Sequence, residues 1–140
     1  MKTAEILLIE DNRGDVVLLT EAFKQTGWDH RLHVVRDGIE AIEFLRHQGR
    51  HPNAAQPDLI LLDLNLPSMG GRAILANIRP DPALGRIPVV ILTSSSFEDD
   101  VLAAFDLPRN AYMVKPSSFD GFVEMAGQLE AFWRQAAECA

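Results

Sequence analysis

The chain has 140 residues, enough for one domain with a substantial core but too few for two domains of ordinary size. Hydrophobic residues make up 47% of it and charged residues 24%, and no stretch approaches the roughly 18 apolar residues of a membrane span. The net charge of −7 argues against nonspecific binding to nucleic acid, which needs cations that meet phosphates. With no signal-peptide pattern and Cys139 as the single cysteine, we expect a cytoplasmic protein without disulfides.

Five short apolar runs have the composition of buried β-strands. The first, 5–9, ends against two acids, and the second, 30–35, alternates weakly. The other three lie at 59–63, 87–93 and 111–114 and are continuous in apolar or β-branched residues. Strands that are apolar on both faces are typical of a parallel sheet covered on both sides.

Apolar residues at helical spacing follow each strand. The first predicted helix runs from a capping signal at Asn12 and Asp15 to Gly27, and the second runs from Ile39 to a break at Gly49. The third passes through Ile74 and Ile78 and ends at Pro80, and the fourth runs from a capping signal at Ser96 and Asp99 through Phe105. The fifth begins at Ser117 or Ser118 and continues through Trp133. The polar segment 49–57 is predicted to be an exposed loop, with His47 and His51 solvated. Five strands alternating with five helices predict a doubly wound α/β fold.

Groups able to do chemistry stand where the strands end. The first strand runs into Glu10 and Asp11, the third ends in Asp63, the fourth ends in Thr93, and the fifth is followed by Lys115. The carboxyl ends of parallel strands share one edge of the sheet, where α/β proteins bind ligands. We therefore expect three carboxylates, a hydroxyl and an ammonium to meet at that edge.

Such a set indicates phosphoryl transfer to an aspartate. Three crowded carboxylates repel one another unless a cation joins them, and their oxygens suit Mg²⁺ or Mn²⁺. No GxxxxGK[ST] loop is present, so the sequence does not indicate a bound nucleoside triphosphate. A carboxylate can accept a phosphoryl group, whose charge a metal, a lysine and a hydroxyl neutralise together. Taken singly, each acid could instead be a helix cap.

Four segments in the right order resemble the signatures of bacterial response-regulator receiver domains: IEDNRGD, LILLDLNLP, VVILTSSS and NAYMVKP. The resemblance covers about residues 4–130. It implies one receiver domain over 1–140 with a helical extension from about 131, and a doubly wound (βα)5 flavodoxin-like fold. The five-stranded parallel sheet would have the strand order 2-1-3-4-5.

The resemblance also implies a role for each matching residue. Asp63 would be the phosphoacceptor, Thr93 would bond the phosphoryl group, and Lys115 would pair with it. The metal ligands would be Glu10 (through water), Asp11, Asp63 and the backbone carbonyl of Asn65. Tyr112 would swing inward together with Thr93 on activation. Ser95 and Asn65 would tune the hydrolysis of the phosphoaspartate, and Pro116 matches a position that a cis peptide usually precedes in the family.

Softer features resemble one branch of the family, the single-domain regulators of cyanobacterial and bacterial phytochrome histidine kinases. These features are the segment IEDNRGD, the 49–57 loop, the segment DLNLPSMGGR and a helix that ends in the FW pair at 132–133. They imply that the sensor histidine kinase that donates the phosphoryl group is a phytochrome. From the net charge and the hydropathy we expect no nucleic-acid or membrane partner. Phe132 and Trp133 extend past what the core requires, so we predict a homodimer through the last helix and its tail.

Two other functions remain open. A Mg²⁺-dependent phosphatase of the haloacid-dehalogenase kind would also use an Asp63 nucleophile, but it needs an aspartate two residues later, where Asn65 stands. A receiver-like binding module that takes no phosphate would leave the charged set without a role. We expect a phosphoacceptor that releases no external product, rather than an enzyme.

Overall fold

The five strands form one parallel sheet in the order β2-β1-β3-β4-β5, as predicted. The computed structural model describes residues 3–64, 66, 69–94, 103 and 111–138, with side chains to 136. Its strands are β1 (Ala4–Ile9), β2 (His30–Val35), β3 (Leu59–Asp63), β4 (Val89–Thr93) and β5 (Tyr112–Val114). Its helices are α1 (Arg13–Thr26), α2 (Gly38–Arg46), α3 (Gly71–Ile78) and α4 (Phe119–Glu138), here called the C-terminal helix, with a 3-10 turn at Leu84–Arg86.

The helix predicted from Ser96 through Phe105 lies outside the described residues, except for Ala103, which is helical. In the part of the chain that the structure describes, no helix is both long and apolar enough to cross a membrane.

The continuous apolar strands are explained by a core on each face of the sheet. Successive side chains of a strand point to opposite faces. In β3, Ile60 and Leu62 join the core that packs against α2 and α3, whereas Leu59 and Leu61 join the core that packs against α1 and the C-terminal helix. Each of these fully buried side chains stabilises the fold by about 1.5–3 kcal/mol relative to exposure. The strand that carries Asp63 is therefore a rigid support.

The helix ends follow from local capping. The side chain of Asn12 accepts a hydrogen bond from the backbone N–H of Asp15 at 3.1 Å, and α1 ends at Gly27 with φ of 74°. The helix α2 was predicted to continue to Gly49, but it ends at Arg46 because His47 adopts the left-handed conformation, with φ of 55°.

The C-terminal helix packs its last turns against this same chain. The ring of Trp133 lies 5.7 Å from the ring of Trp28, centroid to centroid, and Trp28 contacts Phe23 at 5.7 Å. Phe132 is half-buried against the same core. Trp133, which the sequence predicted to contact a second subunit, therefore has an aromatic partner within its own domain.

Candidate active site

The parallel register places the predicted groups at one edge of the sheet. Asp63 on β3 pairs with Leu92 on β4, the residue before Thr93. Thr93 in turn pairs with Val114 on β5, the residue before Lys115. The backbone N–H of Lys115 donates to the carbonyl of Thr93 at 2.7 Å, which fixes the lysine just beyond β5. Thr93 itself is fully buried. The edge predicted from the strand ends is thus the edge where these groups meet.

Three carboxylates face one another at this edge. Glu10, Asp11 and Asp63 each offer an oxygen, and these oxygens lie within 4.8 Å of one another. Glu10 and Asp63 are buried, whereas Asp11 is exposed at the mouth of the site.

This donor set fits a hard divalent cation, because carboxylate oxygens from three directions are what Mg²⁺ and Mn²⁺ accept while keeping bound water. A bound ion supplies positive charge that compensates the carboxylates and any phosphate oxygens beside them. The predicted fourth ligand, the carbonyl of Asn65, lies outside the described residues.

The ammonium of Lys115 is the centre of a carboxylate cluster. Its Nζ contacts Oε1 of Glu10 and lies 2.9 Å from Oδ2 of Asp15 and 3.3 Å from Oδ2 of Asp63. The lysine side chain is only 12% exposed, and these acidic side chains stabilise a charge that has lost most of its water. Asp15 was predicted only as part of a helix cap, and the structure adds it to the site.

Burial and proximity shift the pKa values of the two deepest groups. Burial, together with a hydrogen bond to Asp63, raises the pKa of Glu10 to about 8, although Lys115 acts in the opposite direction. Burial lowers the pKa of Lys115, but hydrogen bonds to Glu10 and Asp15 outweigh burial and the net pKa is raised. At neutral pH the lysine is charged and Glu10 carries a proton that a cation can displace.

The backbone after Asp63 is held by the start of α3. The N–H of Gly71 donates to the carbonyl of Leu64 at 3.2 Å. A Cβ at Gly71 would lie 2.9 Å from the Cα of Leu64, closer than packing allows, and a tight 3.1 Å from the carbonyl oxygen of Asp63. At Gly70 the nearest atom would be 3.7 Å away, an ordinary contact. Gly71 therefore permits a close approach that supports the Asp63 backbone.

The remaining predicted positions have different outcomes. Tyr112 lies on β5, half-buried against the core that packs on α2 and α3. Ser95 lies outside the described residues. The expectation of a cis peptide before Pro116 is wrong for this structure, where the Lys115–Pro116 peptide is trans. The two isomers of such a bond differ by only about 0.5–1 kcal/mol, so the family pattern does not impose one of them.

Asp15 could have been found from helix geometry. It stands in the first turn of α1, a helix that begins only two residues after Asp11 at the sheet edge. Its proximity to Lys115 could not be found in this way, because the two residues are 100 positions apart in sequence.

Fold and site together define a doubly wound α/β domain in which acidic side chains and a lysine meet at one edge of the sheet, and comparison with known proteins gives its family. The model of the response regulator receiver domain matches residues 6–126. The chain belongs to the response-regulator receiver domain family.

Its relatives include phytochrome response regulators. Response regulator Rcp1 of Synechocystis sp. is 46% identical over 128 residues, covering 91% of this chain and 87% of Rcp1. The phosphorylated cyanobacterial phytochrome response regulator RcpA superposes with a TM-score of 0.83 at 44% identity, over 94% of each chain. The Mn²⁺-bound form of Rcp1 superposes with a TM-score of 0.81 at 45% identity, over 93% of this chain and 94% of that one. This chain is a response regulator related to them.

Proposed function

We propose that this chain is a cytoplasmic receiver that accepts a phosphoryl group on Asp63 from a histidine kinase in a Mg²⁺-dependent reaction. The observation that carries the proposal is the meeting of Glu10, Asp11 and Asp63 with the Lys115 ammonium at one edge of the sheet. One receiver domain over residues 1–140 accounts for the function, and the protein releases no external product.

In the proposed reaction, an oxygen of the Asp63 carboxylate attacks the phosphorus of a phosphohistidine on the kinase. The O–P bond forms as the P–N bond breaks, and the ring leaves as neutral imidazole because its other nitrogen carries a proton. Asp63 is held for in-line attack by the buried strand β3, and Lys115 neutralises charge on the transferred group. Glu10, Asp11, Asp63 and the carbonyl of Asn65 would hold the cation, which would supply positive charge beside the transferred group.

The proposed output is a protein–protein contact that changes with phosphorylation. The Thr93 hydroxyl bonds the phosphoryl group. Thr93 pairs with Val114 on the neighbouring strand β5, and Tyr112, two residues earlier on β5, follows the movement of Thr93. Ser95 and Asn65 set the hydrolysis rate of the phosphoaspartate, and Pro116 shapes the turn after Lys115.

A phytochrome-type histidine kinase is the proposed donor. Support comes from the cyanobacterial phytochrome response regulator RcpA, which covers 94% of this chain at 44% identity. The test is phosphotransfer from the purified histidine kinases of the source organism, with Asp63→Asn as control. We expect the phytochrome kinase to be the fastest donor. A faster donor of another class would overturn the pathway while leaving the receiver function intact.

We also propose a homodimer through the C-terminal helix. Phe132 is half-buried and lines a groove between that helix and β5, together with Tyr112, Met113 and Gln128. Trp133 supports this helix by packing on Trp28 within the same chain. Sedimentation at tens of micromolar should show a dimer that Phe132→Ala weakens. A wild-type chain that sediments as a monomer at these concentrations would refute the proposed dimer.

A further inference from the structure

Asp15 lies closer to the Lys115 ammonium than Asp63 does. Its Oδ2 lies 2.9 Å from Nζ, whereas Oδ2 of Asp63 lies 3.3 Å away. The Asp15 side chain is 21% exposed, so the contact is shielded from much of the solvent. The N-cap bond from the Asp15 backbone to Asn12 fixes the first turn of α1, from which the carboxylate projects.

An ammonium offers three N–H donors on a flexible four-carbon chain, so its direction has to be set by its acceptors. Here the acceptors are three carboxylates, from Glu10, Asp15 and Asp63. Glu10 and Asp63 belong to the cation site and change partners when a cation and a phosphoryl group bind. Asp15 is outside that donor set, so its contact with the lysine can persist through the reaction.

We propose that Asp15 is a positioning residue for phosphorylation: it holds the Lys115 ammonium beside Asp63 so that a free N–H faces the incoming phosphoryl group. The inference rests on the proposed phosphoacceptor function of Asp63. It differs from a purely structural role, in which an acid in the first turn of α1 only stabilises the helix through its dipole.

Beryllofluoride, which mimics a phosphoryl group on a carboxylate, is the probe, added to the full chain in saturating Mg²⁺. We expect Asp15→Ala to bind it about tenfold more weakly, the effect of one charge-assisted hydrogen bond. Asp15→Asn keeps an acceptor oxygen and should fall between Asp15→Ala and the wild type. Glu21→Gln removes a carboxylate from the same helix, where it pairs only with the exposed Lys24 among the described contacts, and should bind like wild type.

A double-mutant cycle separates positioning from structure. In a Lys115→Ala background, the further change Asp15→Ala should alter affinity by less than about twofold, because its effect passes through the lysine. Thermal unfolding of each variant confirms that the protein measured is folded. Wild-type affinity in Asp15→Ala, or an equal loss with and without Lys115, would overturn the inference. A wild-type chain that binds no beryllofluoride would instead overturn the function of Asp63 on which it rests.

Discussion

Binding of Mg²⁺ should release a proton from Glu10. Without a cation, burial and the hydrogen bond to Asp63 hold the pKa of Glu10 at about 8, so the group is protonated at pH 6. A cation at the three-carboxylate site favours the ionised form, and the proton has to leave as the metal enters. The affinity for Mg²⁺ should therefore rise with pH up to about 8 and level off above it.

The size of the effect follows from the pKa of about 8. The ionised fraction of such a group is about 1% at pH 6 and about one half at pH 8, so the association constant should increase roughly fiftyfold between them. The variant Glu10→Gln cannot lose this proton, and its affinity should be lower at pH 8 and nearly constant over the same range.

Isothermal titration of Mg²⁺ into the metal-free protein, repeated in buffers of different ionisation enthalpy, gives both the affinity and the number of protons released. Wild type should release close to one proton near pH 7, and Glu10→Gln close to none. Parallel affinity curves for the two proteins between pH 6 and pH 8 would refute the assignment of the raised pKa to Glu10.

Two further predictions concern packing. Gly71→Ala should cost about 2 kcal/mol of stability and slow phosphorylation, because the new Cβ presses on the Leu64 backbone. The control Gly70→Ala should cost less than about 1 kcal/mol. Chemical denaturation measures both losses of stability, and equal losses would contradict the close approach at Gly71. Trp133→Ala should cost about 2 kcal/mol by exposing Trp28, without changing the phosphorylation rate. Unchanged stability would show that the end of the C-terminal helix is not packed on the domain.

The sheet and the position of the site were predictable from sequence. Alternation of strands and helices limits the chain to a parallel sheet, and the rule that strand ends share an edge brings Glu10, Asp63 and Lys115 together whatever the loops do. These predictions need only the order of the elements, which errors of a few residues at their ends do not change. The beginning of β4 at Val89 rather than at 87 therefore had no effect on the site.

Contacts that depend on side-chain reach or loop path were not predictable. Asp15 was identified as part of a cap, and its pairing with Lys115 depends on how far the lysine extends from β5. His51 was predicted to be solvated, but its Nε2 lies 2.9 Å from Oε2 of Glu40 and its ring packs at 5.2 Å from Phe44. That contact follows from the left-handed turn at His47, which hydrophobic periodicity does not report.

The central claim is that Asp63 accepts the phosphoryl group. The most direct measurement is the intact mass and peptide map of the protein after incubation with acetyl phosphate, with and without Mg²⁺, for the wild type and for Asp63→Asn. We expect the wild type to gain one phosphoryl group, located at Asp63 and dependent on Mg²⁺, and Asp63→Asn to gain none. Incorporation that persists in Asp63→Asn, or its absence from the wild type with Mg²⁺ present, would contradict the account.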